Sequence, residues 1–221
     1  MPPETSTTRR KQFLKPMDRM LEVLCGLIMV LTFTCSFSVA TANHTEVRSL
    51  LIAALGCNVV WGVIDAVFYL MGNFAARGRA ILALRTVLTA SNAGEAQGAI
   101  ADVLPPLLAS ALTPADFEVM RQRLRSMSDP PKHPWLMKDD WMAALGVLLI
   151  EFLTVFPLAI PFMLIHNPRL ALRVSNGVGI VLLFLTGFRF GAYAGYRPWR
   201  MGLSMVALGG ALVGVAIALG G

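Results

Sequence analysis

The pattern of hydrophobic and polar positions divides the chain into five long apolar runs separated by polar segments. An α-helix needs about 20 mostly apolar residues to cross the hydrocarbon core of a bilayer. Each run is about that long, so the pattern predicts an all-α, polytopic membrane protein with five transmembrane helices. The predicted spans lie at 20–42, within 50–79, and at 141–165, 176–196 and 201–219.

The polar segments between these runs give the expected domain organisation. Thr113-Pro114-Ala115-Asp116 has the composition of a helix start, because threonine caps the N-terminus and proline fits the first turn. Pro105-Pro106 should interrupt the helix predicted over 93–111. We expect a basic cytoplasmic N-terminal segment at 1–19, membrane helices 1 and 2 at 20–74, a small cytoplasmic helical segment at 75–140, and membrane helices 3 to 5 at 141–221.

Prolines and glycines also mark positions inside the predicted spans. Pro157 and Pro161 should kink the third span, because proline removes a backbone donor and its ring clashes with the preceding turn. The fourth span carries glycines at every fourth position, which is typical of close packing between membrane helices. These glycines are Gly187, Gly191 and Gly195, and the last span has Gly210 and Gly214 at the same spacing.

Composition supports the membrane interpretation. The 221 residues are 56% hydrophobic and only 14% charged, which is unusual for a soluble domain of this size. Of the 19 lysines and arginines, Arg48, Arg169 and Arg173 lie on one side of the predicted bilayer and Arg189 lies inside a span. The remaining fifteen lie on the other side, which should be cytoplasmic. We therefore expect an integral protein of the bacterial inner (plasma) membrane, with a cytoplasmic N-terminus and an external C-terminus.

The formal net charge of +6 is interpreted as a topology signal, so nucleic acid is not an expected partner. A cleaved signal peptide is an alternative for the first apolar run, because Ser38-Val39-Ala40-Thr41-Ala42 has an A-x-A-like end. No CxxC or HExxH spacing occurs, and the histidines are scattered. We do not expect an enzyme, because no nucleophile–base pair is evident. The cysteines are expected to be small buried thiols: Cys25, Cys35 and Cys57.

Four charged residues lie inside the predicted spans, all in their cytoplasmic halves. A charge in the membrane interior costs roughly 2.5–3.5 kcal/mol on insertion scales, so it should have a partner or a function. An Asp65–Arg189 ion pair would neutralise one acid, and Asn58 shares a helix face with Asp65. Two hypotheses remain open, a structural ion-pair network or a cation or proton pathway. The pathway would include Glu22, Met29, Asn58, Asp65, Met71, Glu151 and Arg189.

The chain resembles the vacuolar iron transporter family, as a divergent bacterial-type member. The similarity lies in RMLEVLCGLIMVLTF at 19–33, in LMGNFAARGR at 70–79, in the position of the cytoplasmic segment, and in the glycine-rich end GGALVGVAIALGG. The resemblance implies a five-span homodimer in the lipid bilayer. It also implies export of Fe(II) or Mn(II) from the cytoplasm in exchange for protons, with no other cofactor.

By position, the resemblance implies a metal site that contains Glu22, Asp65 and Met71. The family's Asn-Asp-Gly-like element is missing from the first span, where Leu27-Ile28-Met29-Val30 stands instead. The glutamate cluster of the family's metal-collecting domain is also missing. The expected function is therefore an Fe(II)/Mn(II) antiporter, and the alternative is a non-transporting membrane scaffold or accessory subunit whose charges form structural ion pairs.

Overall fold

The computed structural model describes residues 16–37 and 44–218. Within these ranges the regular structure is helical, with no β-strand, which confirms the all-α prediction. The helices of the described chain are α1 (Pro16–Phe37), α2 (His44–Thr89), α3 (Ala93–Ala101), α4 (Pro106–Ala111), α5 (Pro114–Arg125), α6 (Lys138–Thr154), α7 (Phe156–Leu164), α8 (Pro168–Tyr193) and α9 (Pro198–Ala218).

Three helical stretches in the described ranges are long and apolar enough to cross a membrane. They are Ile52–Thr89, Lys138–Leu164 and Leu170–Tyr193. The chain is therefore an integral membrane protein with transmembrane helices. The count of five spans stays a prediction. Residues 1–15 of the predicted N-terminal segment and residues 38–42 at the end of the first run lie outside the described residues.

The observed boundaries correct several predicted ones. The polar connection predicted before the second span is too long, because α2 already begins at His44. The predicted connection at 166–175 is also too long, because α8 begins at Pro168. The predicted kink in the third span is a break at Val155, which separates α6 from α7. Pro157 lies in the first turn of α7 and Pro161 lies inside it.

The chain divides into two compact units. The first unit is Met1–Val67 with Met142–Gly221, and the second is Phe68–Trp141. In the first unit, α8 packs on α9 and α7, and α1 packs on both α8 and α9. Its core is formed by Leu27, Val30 and Leu31 of α1, by Val155, Leu158 and Ala159 at the start of α7, and by Leu183 of α8.

Glycines of α8 bring its backbone close to α9, as predicted. A Cβ built on Gly187 would lie 2.8 Å from the carbonyl oxygen of Met201, and one on Gly191 would lie 2.9 Å from the Cα of Pro198. Gly195 does not continue this face. It follows the end of α8 with φ of 69°, a left-handed conformation that glycine adopts readily. Gly210 and Gly214 have open space around them, and the close glycines of α9 are Gly202 and Gly209.

The second unit contains the end of α2, the short helices α3 to α5, and the start of α6. Its core is formed by Val87, Ala90, Ala96 and Ile100, with Phe117, Met120 and Leu124 packed against them. The predicted helix start at Thr113 is confirmed as a capping box with Asp116. The Pro105-Pro106 interruption is also confirmed, because α3 ends at Ala101 and α4 begins at Pro106.

Candidate cation site formed by α1, α2 and α6

Glu151 of α6 is the centre of the candidate site. Its side chain is 0% exposed, and neither carboxylate oxygen has a hydrogen-bond partner in the described part of the chain. A buried ionised carboxylate without a partner is strongly unfavourable, because it has lost its hydration and gained nothing in exchange. Such a group requires a proton or a bound cation. Glu151 is therefore the residue at which we expect a ligand to bind.

Two glycines allow α1 and α2 to approach Glu151. A Cβ built on Gly26 of α1 would lie 3.3 Å from both carboxylate oxygens of Glu151. A Cβ built on Gly62 of α2 would lie 3.4 Å from the Cβ of Glu151 and 3.3 Å from the carbonyl oxygen of Leu148. These contacts are tighter than ordinary van der Waals contacts. The absence of side chains at Gly26 and Gly62 therefore lets the backbones of α1 and α2 pack directly against Glu151.

Asn58 of α2 contacts the same turn of α6. Its side chain is 0% exposed, and its amide nitrogen donates to the backbone carbonyl oxygen of Glu151 at 3.3 Å. Its side-chain oxygen has no partner among the described residues. This hydrogen bond positions α2 against α6, and it leaves an amide oxygen available in addition to the two carboxylate oxygens of Glu151. Amide and carboxylate oxygens both bind divalent cations.

Cys25, Asp65 and Glu151 form a triad of ligand atoms from three helices. One atom from each, the Sγ of Cys25 and a carboxylate oxygen from each acid, lies within 4.8 Å of the others. Metal bonds of about 2.0–2.3 Å to sulfur and oxygen allow the ligands of one ion to lie up to about 4.5 Å apart. The triad therefore has almost the spacing that a single divalent ion requires. Cys25 is exposed and Asp65 is partly buried, so the triad is open at one side.

Glu22 of α1 adds a third carboxylate at the edge of the triad. It is three residues before Cys25, which places both on one face of the helix. Glu22, Asp65 and Glu151 lie close enough to one another for their carboxylates to repel each other. In residues 16–37 and 44–218 none of these three acids forms a salt bridge. The three carboxylates thus concentrate negative charge without a basic residue to balance it.

The structure brings together four of the seven predicted pathway residues: Glu22, Asn58, Asp65 and Glu151. Met29 lies one turn after Cys25 on the same face of α1 and is half-buried. Met71 belongs to the second unit, and its side chain is 60% exposed. It follows Asp65 by six residues, which is about 240° of helix rotation, so it does not share the face of Asp65. The place of Met71 in the metal set stays a prediction.

Arg189 does not form the predicted ion pair with Asp65. The arginine is exposed, and the described residues include no salt bridge between the two. The reason is the orientation of α8. Gly187 faces α9, and two residues further along a helix correspond to about 200° of rotation. Arg189 therefore points away from that packed face.

Cys25 is not among the predicted pathway residues, although it shares a helix face with Glu22 and Met29. Cys25 was expected to be a buried thiol, but it is exposed and lies beside two carboxylates. Its spacing from Glu22 placed the two on one helix face, which was the available signal. The orientation of α1 about its axis places the thiol beside Glu151. That orientation is set by helix packing and cannot be derived from the sequence pattern.

Comparison with known proteins does not identify the chain. No known family model matches it, and no curated protein sequence matches it.

Proposed function

We propose that this protein is a membrane transporter that exports divalent transition-metal cations, Fe(II) or Mn(II), from the cytoplasm in exchange for protons. The observation that carries the proposal is the cluster of Glu22, Asp65 and Glu151 together with the unpartnered oxygens of Glu151. Carboxylates inside a membrane protein usually belong to ion or proton pathways. This cluster has the charge and the donor atoms for a divalent cation.

Proton coupling follows from the same charge. When the cation leaves, the acids of the cluster repel each other in an environment of low polarity. Protons relieve that repulsion, and a returning cation must displace them. A site of this kind therefore exchanges a cation for protons at the same oxygens, without a separate proton pathway.

The proposed topology has five spans, a cytoplasmic N-terminus, an external C-terminus, and a place in the bacterial inner membrane. The helices α1 and α9, of 22 and 21 residues, would be the two spans in addition to the three apolar stretches. A helix of that length extends about 30 Å, which matches the hydrocarbon core. A homodimer and membership of the vacuolar iron transporter family are further proposals, supported by the sequence resemblance alone.

The scaffold hypothesis requires the intramembrane acids to be paired with basic residues. The salt bridges of the described chain, Arg77–Asp140 and Arg121–Glu118, involve none of the three clustered acids. The geometry therefore favours transport over a purely structural role.

Transport by purified protein in proteoliposomes tests the proposal. A pH gradient should drive Fe(II) or Mn(II) flux in the native protein, and Glu151→Gln should abolish it. Glu118→Gln, which changes an acid bound to Arg121 on α5, is the matched control and should transport normally. Native-like flux in correctly folded Glu151→Gln, or no flux of any divalent ion in the native protein, would overturn the proposal.

A further inference from the structure

We infer that Cys25 is a metal ligand that gives the site a preference for thiophilic divalent ions, such as Zn²⁺, Cd²⁺ and Fe(II), over Mn²⁺ and Mg²⁺. The inference rests on the cation site of the proposed function and deepens it. It attributes the selectivity of the site among divalent cations to the side chain of Cys25 on α1.

The position of the thiol is the first observation. The Sγ of Cys25 lies within 4.8 Å of a carboxylate oxygen of Asp65 and one of Glu151, and these two oxygens are equally close to each other. A thiol that served only as packing would have apolar neighbours. Cys25 instead lies beside two acids, and Gly26, the next residue of α1, packs closely against the carboxylate of Glu151.

The unpartnered carboxylate is the second and independent observation. Both oxygens of Glu151 are fully buried and accept no hydrogen bond in the described chain, including none from the thiol of Cys25. An S–H donor would have satisfied one oxygen if the cluster were a closed hydrogen-bonded network. The oxygens therefore remain available to a ligand that the sulfur can share.

The donor set decides which ion fits. One thiolate with two carboxylates is a mixed soft and hard set, which suits zinc and other borderline ions. Carboxylates and carbonyls alone suit Mn²⁺, Mg²⁺ and Ca²⁺. A pathway of acids without Cys25 would therefore discriminate less against manganese than this site does.

Co²⁺ binding to the full-length protein in lipid nanodiscs tests the assignment without transport. Co²⁺ bound to a thiolate gives an intense sulfur-to-metal charge-transfer absorption. The native protein should show this absorption, and Zn²⁺ should displace it at concentrations at least about 100-fold lower than Mn²⁺ does. Cys25→Ser should remove the absorption and weaken Zn²⁺ binding about 100-fold, with Mn²⁺ binding changed by less than about threefold.

The chain provides a matched control in Cys57, a free and half-buried cysteine of α2 that is not in the triad. Cys57→Ser should keep the absorption and the preference for Zn²⁺. If the absorption survives Cys25→Ser, or if the native protein binds Mn²⁺ as tightly as Zn²⁺, the inference is overturned. Mn²⁺ binding that persists in Cys25→Ser shows that this variant is folded, and Glu151→Gln should lose Co²⁺ binding altogether.

The outcomes separate the two proposals. Transport of divalent ions without a thiolate absorption would leave the proposed function standing and remove the role of Cys25. A thiolate absorption that depends on Cys25, in a protein that transports nothing, would keep the ligand and remove the transporter.

Discussion

Two carboxylates of α6 show opposite ways of placing an acid in this protein. Asp140, in the second unit, accepts hydrogen bonds from both terminal nitrogens of Arg77 at 2.6 and 3.0 Å, from the backbone N–H of Met137, and from Asn73. Glu151, in the first unit, accepts none within the described residues. The same helix thus carries one acid whose bonds are complete and one whose bonds are left for a ligand.

The number of hydrogen bonds to each carboxylate distinguishes an acid that stabilises the fold from an acid that is available to a ligand. A bidentate arginine–carboxylate pair with two further donors stabilises the unit that contains it. A buried acid without donors destabilises the fold unless something positive binds there. Substitutions at the two positions should therefore have opposite consequences for stability and for cation flux.

The largest effect is expected at Glu151. Changing it to glutamine removes the charge but keeps the shape, so cation flux should fall by at least about 100-fold while the melting temperature stays the same or rises. Flux in proteoliposomes and thermal unfolding in detergent measure the two quantities. A large fall in melting temperature would show that the carboxylate stabilises the native protein and would break the contrast with Asp140.

The reverse pattern is expected at Asp140. Asp140→Asn should lower the free energy of unfolding by about 2–3 kcal/mol, because charged hydrogen bonds to Arg77 are lost. Cation flux per folded molecule should be unchanged. Arg77→Ala should destabilise by a similar amount, and the double variant should be no worse than either single one. Additive losses would mean that the pair does not act as one unit.

A smaller effect is expected at Gly26. An alanine there places a Cβ 3.3 Å from both oxygens of Glu151, so it should weaken cation binding about tenfold, equivalent to about 1.4 kcal/mol. Gly56→Ala is the matched control, because nothing lies within 4 Å of the added carbon. Titration with Co²⁺ would measure both variants. Equal affinities for the two would show that the space beside Glu151 is not used by the ion.

The smallest effect is expected at the cap of α5, a second case of an acid with complete bonds. Hydrogen bonds from the Thr113 hydroxyl and backbone lower the pKa of Asp116 from its ordinary value. A lowered pKa in the folded state means that the stabilisation is present above the ordinary pKa and is lost as the pH falls through the lowered value. Thr113→Ala should therefore destabilise the native protein slightly at neutral pH, and by less in acid. Urea unfolding at several pH values checks this, and a loss that is the same at every pH would contradict it.

Local features of the fold were predictable from the sequence because they depend on residues close together in the chain. The cap at Thr113, the interruption at Pro105-Pro106 and the break near Pro157 are of this kind. The convergence of Glu22, Asp65 and Glu151 was also predictable. Polar residues at the same depth of neighbouring membrane helices lie close together when they face the interior of the bundle.

The remaining features depend on the orientation of each helix about its own axis, which decides the direction in which each side chain points. Cys25 and Arg189 were misassigned because their directions are set by packing, through the glycines at 26 and 187. Helical spacing alone indicates that Met71 and Asp65 lie on different faces of α2. Apolar patterns gave the spans but not their ends, so α2 and α8 begin several residues earlier than predicted.

The interruption between α6 and α7 opens the backbone ladder one turn after Glu151. It falls at Val155, four residues after Glu151, and the Thr154 hydroxyl turns back to the carbonyl of Ile150 at 2.7 Å. Helices bend most easily where their backbone ladder is already open. The side chain of Val155 is buried in the core of the first unit, so packing fixes this opening of the ladder beside the candidate site.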